Sequence, residues 1–297
     1  MKKKRYAVVI FLICLCFPLY PEEAFVPFDN NWTIDLSLNF GFLRFTEENI
    51  FNCRGNKPLD LGIGLRYKKI ALAFNIALPF FAEYYHASSE SFDINLNYME
   101  DRFVVNSYFS RYNSFYISRL EIMNPAAGTH VDLGITSTGA SVRWNLNPGV
   151  HTLQGVYRLN RQQTVSGGSP TIGFGAYYHS IYSADKNLPG YETKQYFIYS
   201  GPLFGYSYTW IYGKNSFFNF DIAGGINPGL NVREMQFVFI PALFPNMTFG
   251  IHFKTWSIAS SVGIRFFIAF QSYEILTADW YQLSKINLTL IKISKRF

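Results

Sequence analysis

The stretch DLGIGLRYKKIALAFNIALPF, residues 60–80, alternates between apolar side chains and side chains that are small or polar. If Lys68 and Lys69 form the two-residue loop of a hairpin, residues equally far from this loop lie opposite each other. Because successive side chains of a strand point to opposite faces, one face of the hairpin is then wholly apolar. The apolar pairs are Tyr67 with Ile70, Leu65 with Leu72, Ile63 with Phe74, Leu61 with Ile76 and Leu59 with Leu78; the other face pairs Arg66 with Ala71, Gly64 with Ala73, Gly62 with Asn75 and Asp60 with Ala77.

The same alternation recurs in four further segments that turn back on themselves. Residues 92–98 are expected to face 103–109, 140–144 to face 153–157, 206–210 to face 218–222, and 249–253 to face 256–260. A first strand at residues 32–42 and a last strand at 286–297 carry the same pattern. The sequence therefore predicts about twelve strands, each with one apolar face.

The connections between these hairpins are much longer than the turns within them. They cover residues 44–58, 79–91, 113–130, 162–195, 228–246 and 272–284. Short turns on one side and long loops on the other are typical of outer-membrane barrels, as is an even number of strands. We therefore predict an all-β fold: an antiparallel transmembrane outer-membrane β-barrel with short periplasmic turns and long outer loops.

One further segment alternates like a strand. Residues 171–182 read TIGFGAYYHSIY, but a spanning strand here would put a later tight turn on the wrong side of the membrane. We place the segment within the fourth long loop. The alternative, in which it spans the membrane, gives a barrel of fourteen strands.

The amino terminus has the features of an export signal. Four basic residues at positions 2–5 precede a short apolar run at 6–20, which Pro18 interrupts. We assign residues 1–24 to a signal peptide and a short N-terminal segment, with lipidation at Cys16 as the minor alternative, and residues 25–297 to a single barrel domain in the cell outer membrane. Without the four basic residues the net charge falls from +6 to +2, which gives no basic surface for nucleic acid.

Three short motifs point to a known family. QTVSGGS at residues 163–169, GYSYTW at 205–210, and Tyr112 followed by Phe115 and Tyr116 resemble the motifs of an outer-membrane barrel family known only as domain of unknown function 4421. That family has a glycine before its aromatic pair, where this chain has Ser114. The resemblance implies a barrel fold and no particular activity.

Catalytic and cofactor motifs are missing from the sequence. It has no P-loop, no H-E-x-x-H, no Cys-x-x-Cys and no G-x-S-x-G, so we expect neither an enzyme nor a cofactor or metal site. His179 and Ser180 are the adjacent pair that an outer-membrane lipase would require, but neighbours on a strand point to opposite faces. A lipase is therefore only a third alternative.

Two groups of polar residues are candidates for function or for bracing. A polar, glycine-containing run in the longest loop either contacts a ligand at the barrel mouth or merely turns the chain: Gln163, Ser166, Gly168 and Ser169. The charges expected to face the lumen are of both signs: Asp35, Asp60, Asp93, Asp132 and Asp221 against Arg66, Arg143, Arg158 and Arg265. A pore selective for one ion sign would show a dominant charge, so these groups are expected to pair across the lumen.

We therefore expect a narrow or plugged barrel acting in binding, surface structure or envelope assembly, with Tyr108 and Tyr177 adding bulk inside. A small porin-like diffusion channel for polar solutes is the alternative. In either case the expected partners of the protein are the outer-membrane lipid and the barrel-assembly machinery. This machinery would recognise Phe297 on a final strand that pairs with the first strand. Cys53, in the first long loop, is expected to face the cell exterior.

Overall fold

The computed structural model describes residues 25–28, 31–47, 51–55, 59–78, 90–120, 130–153, 161–183, 195–270 and 280–297. The proposed signal peptide and the predicted lumen charge Arg158 lie outside these residues. No helix among them is long and apolar enough to cross a membrane. The strands are β1 Phe25–Pro27, β2 Trp32–Glu47, β3 Phe51–Gly55, β4 Asp60–Tyr67, β5 Ile70–Ala77, β6 Glu90–Met99, β7 Phe103–Leu120, β8 His130–Asn145, β9 Arg161–Gln163, β10 Gly167–Ser183, β11 Gln195–Tyr212, β12 Ser216–Asn231, β13 Gln236–His252, β14 Trp256–Phe270 and β15 Trp280–Arg296.

Twelve of these strands form a closed antiparallel barrel. The order around the barrel is β2, β4, β5, β6, β7, β8, β10, β11, β12, β13, β14 and β15, and β15 pairs with β2 to complete the circle. The strands β4 to β6 are short, and β3 pairs with the outer ends of both β2 and β7. β1 and β9 form a separate two-stranded sheet that is not hydrogen-bonded into the barrel sheet. The prediction of a twelve-stranded antiparallel barrel is confirmed.

The hairpin that predicted the fold has the expected register. All eight residue pairs of β4 and β5 are those predicted, from Tyr67 with Ile70 to Asp60 with Ala77. The Leu78 N–H donates to the Leu59 carbonyl at 2.8 Å, which extends the same register. Leu61, Ile63 and Leu65 are exposed on the barrel exterior, whereas the residues between them are buried.

The second hairpin differs from its predicted register by two residues. Tyr98 lies opposite Val105 rather than Phe103, because the loop contains only Asp101 and Arg102. The Glu100 N–H donates to the Phe103 carbonyl at 2.8 Å and closes this tighter turn. A shift of two residues leaves every side chain on the same face, so the predicted exterior is unchanged.

The third predicted hairpin is wrong in its second strand. β8 pairs with β10, and Trp144 lies opposite Ile172, so the stretch 171–182 does span the barrel. Leu153, which was predicted to begin the partner strand, instead packs against Met99 and Val104. Residues 171–182 thus take the place of residues 153–157 as a spanning strand. The number of strands stays at twelve, so the fourteen-stranded alternative is wrong. The later strands keep their predicted direction across the membrane.

One predicted outer loop is a tight turn. β12 continues to Asn231 and β13 begins at Gln236, so only residues 232–235 connect them, instead of the predicted 228–246. Met235 adopts a positive φ of 52° in this turn. The connection at this position on the outer side is therefore as short as a periplasmic turn.

The barrel exterior is apolar and its periplasmic rim is aromatic. Bands of aromatic side chains mark the membrane interfaces of such barrels. At this rim the exposed aromatic residues include Trp32, Tyr67, Trp144, Trp210, Tyr212, Phe253, Trp256 and Phe297. This arrangement fits the predicted short-turn side.

The lumen changes character along the barrel axis. In β8 the inward side chains near the periplasmic end are Arg143 and Asn145, whereas towards the outer end they are apolar. Val131 and Leu133 occupy that outer end and are fully buried. Asp132 between them is exposed, so its predicted orientation into the lumen is wrong.

Candidate functional site

The part of the lumen towards the periplasmic end contains a polar chamber. It consists of two adjoining cavities of about 210 and 340 Å³ that share five lining residues. The shared residues are Ala73, Asn246, Ser261, Asn287 and Thr289. Asparagine, serine and threonine supply nine of the other 27 lining residues, because many residues between the exterior apolar positions of each strand are small or polar.

Arg143 and Asp221 form the best-buried ion pair of the lumen. The guanidinium donates to both carboxylate oxygens, at 2.9 and 2.7 Å, and also to Thr171 Oγ1 at 3.0 Å. Arg143 lies on β8 and Asp221 on β12, with two strands between them, so this contact crosses the lumen. A buried pair joined by two parallel hydrogen bonds fixes the arrangement of the strands that carry it.

A second buried ion pair lies closer to the outer end of the barrel. Lys285 Nζ contacts Asp93 Oδ1 at 2.7 Å, and the Tyr112 hydroxyl donates to the same carboxylate at 2.8 Å. Lys285 was missed by the sequence analysis, although it shares the parity of the inward-facing Leu283 on β15. Lower down, Lys292 Nζ lies 3.1 Å from Asp35 Oδ2.

The other predicted lumen charges have different surroundings. Arg66 donates to Thr33 Oγ1, and Asp60 is buried on the chamber wall. Arg265 donates to Asn95 Oδ1 at 3.1 Å, and its guanidinium lies 4.0 Å from the centre of the Tyr108 ring. Within the described part of the chain, no carboxylate forms an ion pair with Arg265.

The outer half of the lumen is filled by a buried apolar cluster, which we call the outer cluster. Its rings lie close together: Tyr177 is 5.2 Å from Tyr199 and 5.7 Å from Phe267, measured between ring centroids. His179 is hydrogen-bonded to the Tyr199 hydroxyl and lies 4.9 Å from Phe267. The other members include Leu43, Phe45, Cys53, Tyr112, Phe115, Val131, Leu133, Ile135, Ile181, Phe197, Val238, Ile240 and Leu283.

Cys53 belongs to this cluster and is not accessible. It lies at the outer end, as predicted, but its side chain is fully buried. The expectation that it faces the cell exterior is wrong, because β3 is a paired strand and not an open loop.

The described residues that follow β8, up to Leu153, fold into the periplasmic end of the lumen. His151 is fully buried there, and its Nε2 lies 3.2 Å from the hydroxyls of both Ser207 and Thr209. The His151 carbonyl accepts a hydrogen bond from Asn145 Nδ2 at 2.6 Å. Burial lowers the pKa of His151 to about 4, so its imidazole is neutral at pH 7.

The motif at residues 163–169 also lies at this end, and not at the outer barrel mouth where it was predicted. Gln163 pairs with Phe25 in the small sheet, and Ser166 Oγ accepts a hydrogen bond from the Ile211 N–H at 2.9 Å. Ser169 is fully buried and its Oγ accepts from the Asn147 N–H at 2.9 Å. A side chain at Gly168 would collide with Tyr208 and Tyr206. These contacts brace the connection against β11.

The described residues contain no arrangement typical of catalysis or metal binding. His179 is buried in the lumen while Ser180 lies on the other face of β10, as predicted for neighbours on a strand. No group of three or more His, Cys, Asp or Glu residues that could hold a metal occurs in this part of the chain.

The model of one protein family, described as a domain of unknown function, matches residues 26–291. This chain belongs to the DUF4421 family. The predicted resemblance is therefore confirmed over most of the chain. No curated protein matches the DUF4421 chain significantly.

Solved structures similar to this DUF4421 barrel are outer-membrane proteins of very low sequence identity. The outer-membrane protease OmpT from Escherichia coli is 8% identical, with a TM-score of 0.36, over 93% of this chain and 99% of OmpT. The KdgM porin in complex with oligogalacturonate is 9% identical, with a TM-score of 0.31, over 87% of this chain and 99% of the porin. The Pseudomonas putida toluene transporter TodX is 8% identical, with a TM-score of 0.27, over 91% of this chain and 90% of TodX.

Proposed function

We propose that this DUF4421 protein is an outer-membrane barrel whose lumen is closed to ion flow and serves in binding rather than in conduction. The observation that carries the proposal is the outer cluster, in which rings from β10, β11 and β14 meet inside the barrel. An apolar, close-packed region in a pore excludes water, and ions do not cross a region without water.

The contacts below the outer cluster support the same function. The Arg143–Asp221 pair and the Asp93–Lys285 pair join distant strands at two levels of the lumen. Breaking either pair to open a passage would leave a charge buried and unpaired. A binding role needs no such passage, because the polar chamber between these levels can hold a small molecule.

The barrel exterior supports a location in the outer membrane. Its apolar side chains, exposed on strand after strand, would be unstable in water but match a lipid surface. Export through the N-terminal segment is part of this proposal. The folded protein should therefore be heat-modifiable, with different electrophoretic mobility before and after boiling in detergent.

The test of the closed lumen is conductance in a planar lipid bilayer. We expect no stable single-channel steps from the purified wild-type protein across the applied voltage range. A variant with Tyr177→Ala, Tyr199→Ala and Phe267→Ala removes three rings that meet inside the outer cluster. This variant should conduct, which would show that the protein inserts into the bilayer. Regular steps from the wild type would instead support the small diffusion channel for polar solutes.

A further inference from the structure

The barrel wall has two interrupted ladders. Between β11 and β12, backbone pairing stops after Tyr199 with Gly229 and resumes only at Phe204 with Gly224. Between β13 and β14, the pairs at Ala242 and Leu243 are flanked by unpaired stretches at residues 240–241 and 244–245. We call these two interruptions the first seam and the second seam.

Prolines account for both seams. Pro202 and Pro228 lie in the first seam, and Pro241 and Pro245 lie in the second. Each of them is paired on its other side: Pro202 with Phe174, Pro228 with Phe239, Pro241 with Ile226 and Pro245 with Ile222. The N–H and C=O of a strand residue point to the same neighbouring strand. Proline has no N–H, so on the strand that faces the seam each of these prolines leaves one backbone donor missing.

The seams are weak places in the wall. A backbone group left without a partner in lipid is costly, and prolines are therefore normally excluded from central strands. The strands nevertheless stay close together, since a side chain at Gly225 would collide with the Pro202 carbonyl oxygen. The wall is thus closed in this structure but is held by fewer hydrogen bonds at the seams than elsewhere.

The outer half of the β12–β13 hairpin lies between the two seams and forms a panel. Its two strands are paired without interruption from Ser216 with Ile251 to Asn231 with Gln236. The short turn at residues 232–235 ends the panel, and Met235 within this turn is 75% exposed. The outer end of the panel is joined to β11 by the pairs from Phe197 with Asn231 to Tyr199 with Gly229, and the Val232 N–H donates to the Tyr196 carbonyl at 2.8 Å. Between this outer end and Phe204, the panel can bend away from β11 at the first seam without breaking its own ladder.

The exterior of the panel is apolar to its outer edge. Ile226, Phe237 and Phe239 are 64%, 44% and 46% exposed. By contrast, the outer end of β8 carries the exposed Asp132, and that of β2 carries the exposed Arg44. The lipid-facing surface therefore extends further outward along the panel than along those strands.

The polar chamber reaches both seams. Its larger cavity is lined by Leu203 at the first seam and by Phe244, Pro245, Ile264 and Arg265 at the second. The opposite wall carries Asn95, Asn97 and Asn106, and the Nδ2 of the buried Asn97 has no hydrogen-bond partner among the described residues. The chamber is thus apolar towards the lipid and polar towards the far side.

Arg265 supplies the charge of this amphipathic chamber. It lies opposite Phe244 in the second seam, where no backbone pair forms. Its guanidinium is held by Asn95 and stacked on Tyr108, and no carboxylate among the described residues forms an ion pair with it. An arginine held in this way is suited to bind a carboxylate through two parallel hydrogen bonds.

We propose that the panel is a lateral gate and that the chamber binds a single-chain amphiphile of the fatty-acid class. The carboxylate of the ligand binds Arg265, and its hydrocarbon chain leaves through a seam into the lipid. This inference rests on the binding function proposed above and names its ligand class and its route of entry.

The ligand is tested with palmitic acid that carries a diazirine near its terminal methyl group, added to protein reconstituted in lipid vesicles. We expect saturable photocrosslinks in the wild type, and a loss of affinity of about tenfold or more in Arg265→Gln, with partial recovery in Arg265→Lys. The exposed Arg54→Gln is the control and should bind normally. The methyl ester of the probe has no carboxylate, so its crosslinking should not change in Arg265→Gln.

The gate is tested by restoring the missing donors. A variant with Pro202→Ala, Pro228→Ala, Pro241→Ala and Pro245→Ala should load the probe at least about tenfold more slowly, because its seams gain hydrogen bonds. Pro170→Ala is the matched control, since Pro170 lies in the unbroken ladder between β10 and β11. A reversible lock is provided by Pro202→Cys with Ile226→Cys in a Cys53→Ser chain, which should load slowly until the disulfide is reduced.

Wild-type loading rates in both the repaired and the locked variants would overturn the gate. Failure of the wild type to crosslink saturably, or equal binding by Arg265→Gln, would overturn the ligand class. Bilayer conductance of the same preparation is measured separately. If the wild type conducts, the proposed closed lumen is wrong. If it neither conducts nor binds the probe, only the lateral gate and its fatty-acid ligand are wrong.

Discussion

The backbones of Phe297 and Trp32 are joined by a pair of hydrogen bonds. The Phe297 N–H donates to the Trp32 carbonyl at 3.0 Å, and the Trp32 N–H lies 3.5 Å from the Phe297 carbonyl. These bonds end the ladder by which β15 meets β2, so the predicted closing pair of strands is confirmed. The Phe297 ring itself is exposed at the aromatic periplasmic rim.

Deletion of Phe297 should sharply lower the amount of assembled barrel in the outer membrane. The ring is exposed and contributes little to packing, but the deletion also removes the two backbone bonds to Trp32. Phe297→Ala keeps these bonds, so a large effect shared by the deletion and by Phe297→Ala would reflect recognition of the last strand during assembly. Phe253→Ala is a suitable control, because Phe253 is another exposed aromatic residue at the same rim. Surface level and heat modifiability are the measurements; equal values for the deletion and the wild type would remove Phe297 as the assembly signal.

Cys53 should resist a membrane-impermeant maleimide on intact cells, because its thiol is buried in the outer cluster. The reagent should react once the protein is unfolded in denaturant. In a Cys53→Ser chain, the neighbouring Arg54→Cys should be labelled on intact cells, since Arg54 is exposed on the same strand. Rapid labelling of Cys53 in the folded wild type would show that β3 opens.

The strand pattern could be predicted well where the turns are short. In the β4–β5 hairpin, Lys68 and Lys69 left a single register that kept all the apolar residues on one face. The third hairpin failed because periodicity predicts the face of a strand and not its partner. Residues 153–157 and residues 171–182 both alternate like a strand. The structure shows that residues 171–182 are the partner of β8, since β10 pairs with β8 on one side and with β11 on the other.

The turn at residues 232–235 was hidden by prolines. Pro228, Pro241 and Pro245 made the surrounding sequence resemble a loop, since proline is rare in central strands. Here they lie within strands and interrupt the ladder on one side only. These prolines within strands lie at the two seams beside the panel. The sequence analysis had assigned the outer part of the panel, residues 228–246, to a loop.

Most of the charges that face the lumen could be predicted from the alternation of the strands, but the pairs that they form could not. Arg143 and Asp221 are 78 positions apart, and their contact depends on the curvature of the closed barrel. Asp132 was placed wrongly because the outer end of β8 has apolar side chains inside the barrel and Asp132 outside, which reverses the pattern of the lipid-facing part of this strand.

Asp221→Asn should destabilise the barrel by about 3–5 kcal/mol, because it leaves the Arg143 guanidinium buried without its counter-charge. Arg143→Met combined with Asp221→Asn should recover much of this loss. The exposed pair of Lys69 and Glu100 offers the control, and Glu100→Gln should have a far smaller effect. Urea unfolding in lipid vesicles, followed by tryptophan fluorescence, gives the comparison; equal midpoints for Asp221→Asn and Glu100→Gln would contradict a bracing role.

Gly62→Ala should also destabilise the barrel, by about 1–3 kcal/mol, through overpacking of the chamber wall. A Cβ at Gly62 would lie 2.5 Å from Asn75 Oδ1 and would overlap with Ser37 Oγ. Ser37→Ala in the same chain should relieve part of the clash. Gly134→Ala is expected to be tolerated, since its nearest neighbour, Asn113 Oδ1, would be 3.4 Å away. The same urea unfolding assay measures all four chains, and a neutral Gly62→Ala would mean that the wall yields easily.

His151 should make the barrel less stable in acid. Burial is the main cause that lowers its pKa from 6.5 to about 4, with the nearby Asp221 opposing this shift and Arg143 adding to it. Below pH 6.5 the unfolded chain therefore binds a proton at this residue more readily than the folded chain does. Stability contributed by the neutral imidazole is complete above pH 6.5 and is lost as the pH falls towards 4, by about 3 kcal/mol in all.

The measurement is the urea midpoint at pH 7.5 and at pH 4.5. His151→Gln has no group that titrates at this position, so its midpoint should fall less between the two pH values than that of the wild type. The buried His179 and His252 are present in both chains, and their contributions cancel in the difference. If His151→Gln loses as much stability in acid as the wild type, the neutral imidazole of His151 does not stabilise the barrel.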